Sequence, residues 1–207
     1  MSKQLDQFVQ SSIPEPYTIL GCKLHPLSVG HLILMKRFEC AFGPDDVNRD
    51  GNVWDLLVAV AICCRKYNEF LDWYSNTEER DEWIKEWLEA LTKEATSNPE
   101  WKLMNKFSLF NMYRQEGISI PKYFDEGNHN DDRESGSHWI QNIFTVLMTE
   151  MNYSEPDILD MPVAKALSLY FKTLENKGQI TFMADWQIED EERLAAQAES
   201  VKEVKKD

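Results

Sequence analysis

Positive charge is scarce in this 207-residue chain: 22 lysines and arginines face 36 aspartates and glutamates, for a net charge of −14. A surface this acidic repels phosphate backbones and anionic lipid, and nucleic-acid affinity rests mainly on neutralising phosphates. The only basic cluster, Lys202, Lys205 and Lys206, is mixed with Glu203 and Asp207 and reads as solvated. Nucleic acid and membranes are therefore not expected as partners. Cysteine is also sparse. Cys22 and Cys40 stand apart, Cys63 and Cys64 are adjacent, and no CxxC pair exists to signal a zinc ribbon or a thioredoxin-type site. Long apolar runs are missing too. The longest, Leu56–Cys64, falls far short of the ~20 residues that a helical span needs. Met1–Gln10 lacks the apolar centre of a secretory signal. These absences describe a chain expected in a reducing cytoplasm.

Apolar material is plentiful. Hydrophobic residues make up 43% of the chain, with 7 Trp, 10 Phe and 7 Tyr, enough for a real core. Residues 1–16 are polar, broken by Pro14 and Pro16, and are expected as a flexible arm. Tyr17–Leu20, Gly21 and Lys23-Leu24 read as a small hairpin about a glycine turn. Ser28 caps a predicted helix over Val29–Phe42, stopped by Gly43-Pro44, with Leu27, His31, Leu34, Phe38 and Ala41 on one face. Asn52 caps a second, Val53–Lys66, apolar nearly all round and so central to the core.

A third helix, Glu78–Ala95 behind Thr77, carries the stripe Trp83, Ile84, Trp87, Leu88 and Leu91. Asn98-Pro99 opens a fourth, ending near Gly117. Asp125–Ser137 reads as a mobile polar loop, and His138–Met151 as a fifth helix. Ser154 and Asp157 make a capping box for a short turn, and Pro162 starts a sixth helix stopped by Gly178. Ile180–Trp186 is ambiguous, and residues 188–207 form a charged tail, frayed helix or disordered. The expected fold is mainly α: one helical domain over 17–187, of about six helices, with a small N-terminal β-hairpin.

Signals of chemistry are weak. Asp46-Val47-Asn48-Arg49-Asp50-Gly51 matches the opening of a calcium loop, but its ninth position is Trp54 and its twelfth, which should be a bidentate carboxylate, is Leu57. It reads as a polar turn leading to the Asn52 cap. His129 and His138 flank Asp131, Asp132 and Glu134, but no regular spacing fixes them together. His31, within an apolar stripe, reads as a core histidine with a backbone partner rather than a ligand. Adjacent Cys63 and Cys64 point about 100° apart on a helix and act as small hydrophobes. No hydrolase, metalloprotease, phosphate-loop or dinucleotide fingerprint is present. No catalytic residue, metal or cofactor is expected, and the chain reads as a binder rather than an enzyme. The tryptophan stripe reads as core, with a partner groove as its alternative. Trp73 and Tyr74, in the link before that helix, are the better candidates for exposure, so Trp73, Tyr74, Trp83 and Trp87 are the expected partner-binding set.

The order of elements adds a further clue. A hairpin leads into Leu24-His25-Pro26-Leu27-Ser28-Val29-Gly30-His31-Leu32-Ile33-Leu34-Met35-Lys36-Arg37, then a polar break, then Val53-Trp54-Asp55-Leu56-Leu57-Val58-Ala59-Val60-Ala61-Ile62. This resembles the tail-assembly chaperones of long-tailed bacteriophages over residues 17–66. Ile158–Leu174 is similar to phage tail-cluster proteins. The resemblance implies a small acidic helical protein of the host cytoplasm that keeps the tape-measure protein soluble before tail-tube assembly. It further implies absence from the mature virion, and a longer frameshifted form, for which Lys205-Lys206 falls where a slippery site would lie. Self-association is open. The rival readings are a structural or connector protein retained in an assembly, and an enzyme with a site near residues 125–138.

The missing carboxylate at Leu57 makes the calcium-like loop testable. The thermal midpoint is expected to be the same in millimolar calcium and in chelator. A bound ion well above its dissociation constant adds ~2–4 kcal/mol, so a rise of several degrees in calcium would overturn the reading.

Overall fold

A computed structural model describes residues 17–44, 51–98, 100, 102–118, 120–125 and 138–204, with side chains as far as residue 197. The expected arm at 1–16, Asp46–Asp50 of the calcium-like motif, and 126–137 of the polar loop lie outside the described residues. Two antiparallel strands, β1 (Thr18–Ile19) and β2 (Cys22–Lys23), open the fold. Leu20 and Gly21 both have positive φ, 49° and 81°, as a tight two-residue hairpin loop requires. Helices α1 (Val29–Arg37), α2 (Val53–Cys63), α3 (Tyr67–Ser75), α4 (Thr77–Ser97) and α5 (Leu103–Gly117) follow. Then come β3 (Tyr123–Asp125), α6 (Trp139–Thr149), α7 (Glu155–Leu159), α8 (Val163–Asn176), β4 (Ile180–Phe182) and α9 (Asp185–Val204).

The chain is mainly helical with a small N-terminal hairpin, as the periodicity predicts. Among the described residues there are nine helices. The three beyond the expected six are α3, in the presumed link; α7, in the presumed short turn; and α9, where the tail begins. Helix α3 lacks the usual start signal, because its N-cap is Lys66. The Lys66 N–H donates to Glu69 Oε2 at 2.9 Å instead. Helix α4 starts one residue early, on Asn76, whose Oδ1 accepts the Glu79 N–H at 3.3 Å. Asn98 closes α4 rather than opening α5, which begins at Leu103. Ile180–Phe182, ambiguous by pattern, is strand β4, which pairs antiparallel with β3. That partner is distant in sequence, so local pattern does not reveal it.

Helix α1 stops at Arg37, short of the expected Phe42. The Glu39 N–H donates to the Lys36 carbonyl at 3.1 Å and the Cys40 N–H to the Met35 carbonyl at 2.9 Å. This is a Schellman cap with Glu39, at φ 50°, in the left-handed seat usually held by glycine. The same cap closes α8, and there Gly178, at φ 67°, announces it.

Helix α2 lies at the centre, with Leu56, Leu57, Ala59, Val60, Ala61, Ile62 and Cys63 all buried. Asp55 ties its first turn to the end of the α1 segment. One carboxylate oxygen accepts the Ala41 N–H and the other the Asn52 N–H, each at 3.0 Å. Helix α1 packs on α2, α3 and α7. It approaches α7 closely at Gly30, where a Cβ would lie 2.7 Å from both the Leu159 carbonyl oxygen and Tyr67 Cδ2. The N-termini of α1 and α8 are joined by a two-bond bridge: the Val29 N–H donates to the Met161 carbonyl at 3.0 Å, and the Val163 N–H to the Leu27 carbonyl at 2.8 Å.

His31, the third residue of α1, is 1% exposed. Its Nδ1 accepts the Ser28 N–H at 3.1 Å, and its Nε2 lies 2.7 Å from the Arg65 carbonyl. Those partners require the neutral tautomer with the proton on Nε2. Burial pulls the imidazole pKa down from the ordinary 6.5 to about 4, against the opposing pull of the Arg65 carbonyl.

This sets a pH dependence of stability. Above pH ~6.5 the imidazole is neutral in both folded and unfolded chains, and the contribution is complete. Between there and about pH 4 only the unfolded chain gains the proton, so stability falls as pH falls. Between pH ~7 and ~4.5 the native chain should lose on the order of 2–3 kcal/mol more than the His31→Gln variant. Urea midpoints across that range measure the difference, and parallel curves would contradict it.

Candidate functional site

The residues expected to bind a partner gather around the α3–α4 pair, but most of them face inward. Trp73 is 6% exposed, Trp87 is 2% exposed, and Trp83 is half-buried. Tyr74, at 43%, is the member presented to solvent. The expected exposure of Trp73 is thus corrected: its segment is helix α3, and the face carrying Phe70 and Trp73 turns toward the core. The Trp73 and Trp83 rings meet edge-on at 5.4 Å. The Arg65 guanidinium lies over both, at 4.0 and 4.9 Å, an arrangement worth on the order of 2 kcal/mol when desolvated. Arg65 Nη1 also donates to the Ala61 carbonyl at 3.0 Å. The cluster therefore holds α3 and α4 onto the end of α2, and its tryptophans are packing residues.

A different set of residues makes an open groove. Helices α1 and α6 both pack on α7 and leave a channel of about 860 Å³ between them. Ile33, Ile140, Phe144 and Leu159 form its apolar wall. Lys36, His138, Gln141 and Glu155 stand among the polar residues that line it, and Tyr67 adds an aromatic edge. His138, expected as the first residue of its helix, is instead the N-cap of α6, with Nδ1 accepting the Ile140 N–H at 3.2 Å. Lys36 and Glu155 supply opposite charges on facing helices. An apolar wall with a polar margin suits a peptide helix or an extended apolar side chain better than a small polar substrate.

Pattern reading missed this groove. Phe144 is only half-buried, and Ile33 lies off the predicted α1 stripe. That off-stripe isoleucine is the one local signal that could have pointed here. His129, Asp131, Asp132 and Glu134 lie outside the described residues. Among the described residues, no three of His, Cys, Asp and Glu are placed to hold a metal ion, and no helix is long and apolar enough to cross a membrane.

No family model, no curated protein and no solved structure matches the chain.

The buried and the exposed members of the α3–α4 set respond differently to mutation. Trp87→Ala empties a buried site and should cost ~3–5 kcal/mol. Tyr74→Ala, at a position open to solvent, should cost about 1 kcal/mol or less. Chemical denaturation distinguishes them. A Trp87→Ala variant as stable as the native chain would show that the stripe is not core.

Proposed function

We propose that the chain is a tail-assembly chaperone of a long-tailed phage, which holds an apolar helical segment of the tape-measure protein in the α1–α6–α7 groove. The observation that carries this reading is the groove itself, with Ile33, Ile140, Phe144 and Leu159 on its wall. Its volume lies within the ~300–1,000 Å³ range of ligand pockets, enough for a few anchor side chains of an amphipathic helix. Such helices present anchors at i, i+3 or i+4 and i+7. The resemblance over residues 17–66 supports the reading, because that segment supplies the groove's Ile33 and Lys36.

Electrostatics supports it as well. A net charge of −14 keeps the complex dispersed while a long helical partner would otherwise self-associate through its apolar faces. On this reading the chaperone works in the host cytoplasm, holds its partner by non-covalent contacts, and leaves before the particle is complete.

Co-expression with the tape-measure protein tests it. The partner should be soluble and co-purify with the native chain. Phe144→Asp and Ile33→Asp, both at half-buried wall positions, should weaken co-purification at least tenfold while the helical circular-dichroism signal is kept. A partner equally soluble alone, or retained equally by both variants, would refute the proposal.

A further inference from the structure

Helix α4 spans 21 residues, yet among the described residues Trp87 is the one it buries fully. It packs on α3, where Trp83 meets Trp73, and Glu94 ties it to Lys106 of α5 at 2.6 Å. Its outer side carries two rows at four-residue spacing. Asp81, Lys85, Glu89 and Lys93 form one, and Ile84, Leu88, Thr92 and Thr96 the other, with an open groove between them. Rows of this kind are the ridges of a helix, and the groove between two of them receives a ridge of a neighbouring helix. The charged row is exposed, and Ile84 and Leu88 beside it are half-buried.

The charged row alternates strictly in sign, so it is neutral within a chain whose net charge is −14. Four-residue spacing suits ion pairs inside the helix. Among the described residues, however, Lys85, Glu89 and Lys93 make no ion pair, and Asp81 pairs with its neighbour Arg80 at 3.4 Å.

We propose that this face of α4 is a self-recognition surface, on which the α4 helix of a second copy of the chain docks antiparallel. Lys85 then faces the second copy's Glu89, and Asp81 its Lys93. Two-fold symmetry repeats both pairs, giving opposite charges along the whole row. In the same register Glu82 and Glu86 fall opposite Thr92 and Leu88 rather than opposite another carboxylate. Sliding the second helix by four residues one way sets Glu89 on Glu89 and Lys85 on Lys93. Sliding it the other way sets Lys85 on Lys85 and Asp81 on Glu89. A parallel pair sets every charge against its own copy. The alternation thus specifies one orientation and one register. Exposed ion pairs contribute little each, so burial of Leu88 and Ile84 supplies attraction while the charges select the partner and its alignment. The surface shares no lining residue with the groove between α1, α6 and α7, so the two contacts are separable by mutation.

Sedimentation velocity of the full chain, over a series reaching hundreds of micromolar, tests the pairing. A monomer–dimer equilibrium is expected at low salt, weakening at ~1 M salt, where the Debye length falls to ~3 Å. Lys85→Glu alone, or Glu89→Lys alone, sets like charges opposite each other and should weaken dimerisation at least tenfold. Both positions are exposed, so the helical circular-dichroism signal should be kept in each variant. An equimolar mixture of the two single variants should dimerise as strongly as the native chain, because each altered pair again joins opposite signs. A native chain that stays monomeric throughout, a dimer that survives both single variants, or a mixture that stays monomeric would each overturn the proposal. So would a dimer dissociated by Phe144→Asp but not by Lys85→Glu, which would put the contact in the other groove.

Discussion

One buried imidazole holds the crossing on which the helices depend. His31 closes the first turn of α1 by accepting the Ser28 N–H, and reaches across to the Arg65 carbonyl beyond the end of α2. Ser28 lies in the bridge to Pro162 that fixes the start of α8. The Arg65 side chain lies on Trp73 and Trp83 and so fixes α3 and α4. A single residue thus connects the starts of two helices with the end of a third. Leaving one buried polar partner empty costs ~1–3 kcal/mol. An apolar replacement at His31 would strand both the Ser28 N–H and the Arg65 carbonyl, each of which otherwise has a partner in the imidazole.

The same crossing explains why small residues stand nearby. Gly30 sits one position before His31, and its missing side chain lets the Leu159 carbonyl approach α1. In an exposed helix, alanine in place of glycine would stabilise by up to ~1 kcal/mol. Here the added carbon would meet a backbone atom that cannot swing aside, so overpacking outweighs the propensity gain. Close contact between α1 and α7 in turn sets one wall of the groove. Among the described residues, the geometry of the groove therefore follows in part from the packing of the core.

What could be read from the sequence was what is local. Ser28 and Asn52 mark helix starts because their side-chain oxygens accept backbone N–H groups within three residues. Gly178 marks a stop because glycine is the residue that most readily takes the positive φ of this cap. Glu39 fills the same seat at the end of α1 without any compositional sign, so the pattern carries the helix on to Phe42. Helix α3 was lost because Lys66 offers no capping oxygen. The pairing of β3 with β4 and the groove are both non-local. Each joins residues that no window of sequence holds together.

The tryptophans show the limit of reasoning from residue type. Trp73 and Trp87 are frequent anchors at interfaces, yet here each lies in the core with its indole Nε1 lacking a hydrogen-bond partner among the described residues. An unpaired buried N–H costs ~1–3 kcal/mol. The large ring area removed from water, at ~25 cal/mol per Å², exceeds that cost, and the Arg65 guanidinium over the Trp73 face adds to the gain. Burial therefore wins for these rings. Ile33 and Phe144 stay half-buried on the groove wall where α1 and α6 meet α7. Beside them Ile140 and Leu159 are buried in the packing of the same helices. A partner helix docking there would lose its own freedom but demand little reorganisation of the groove.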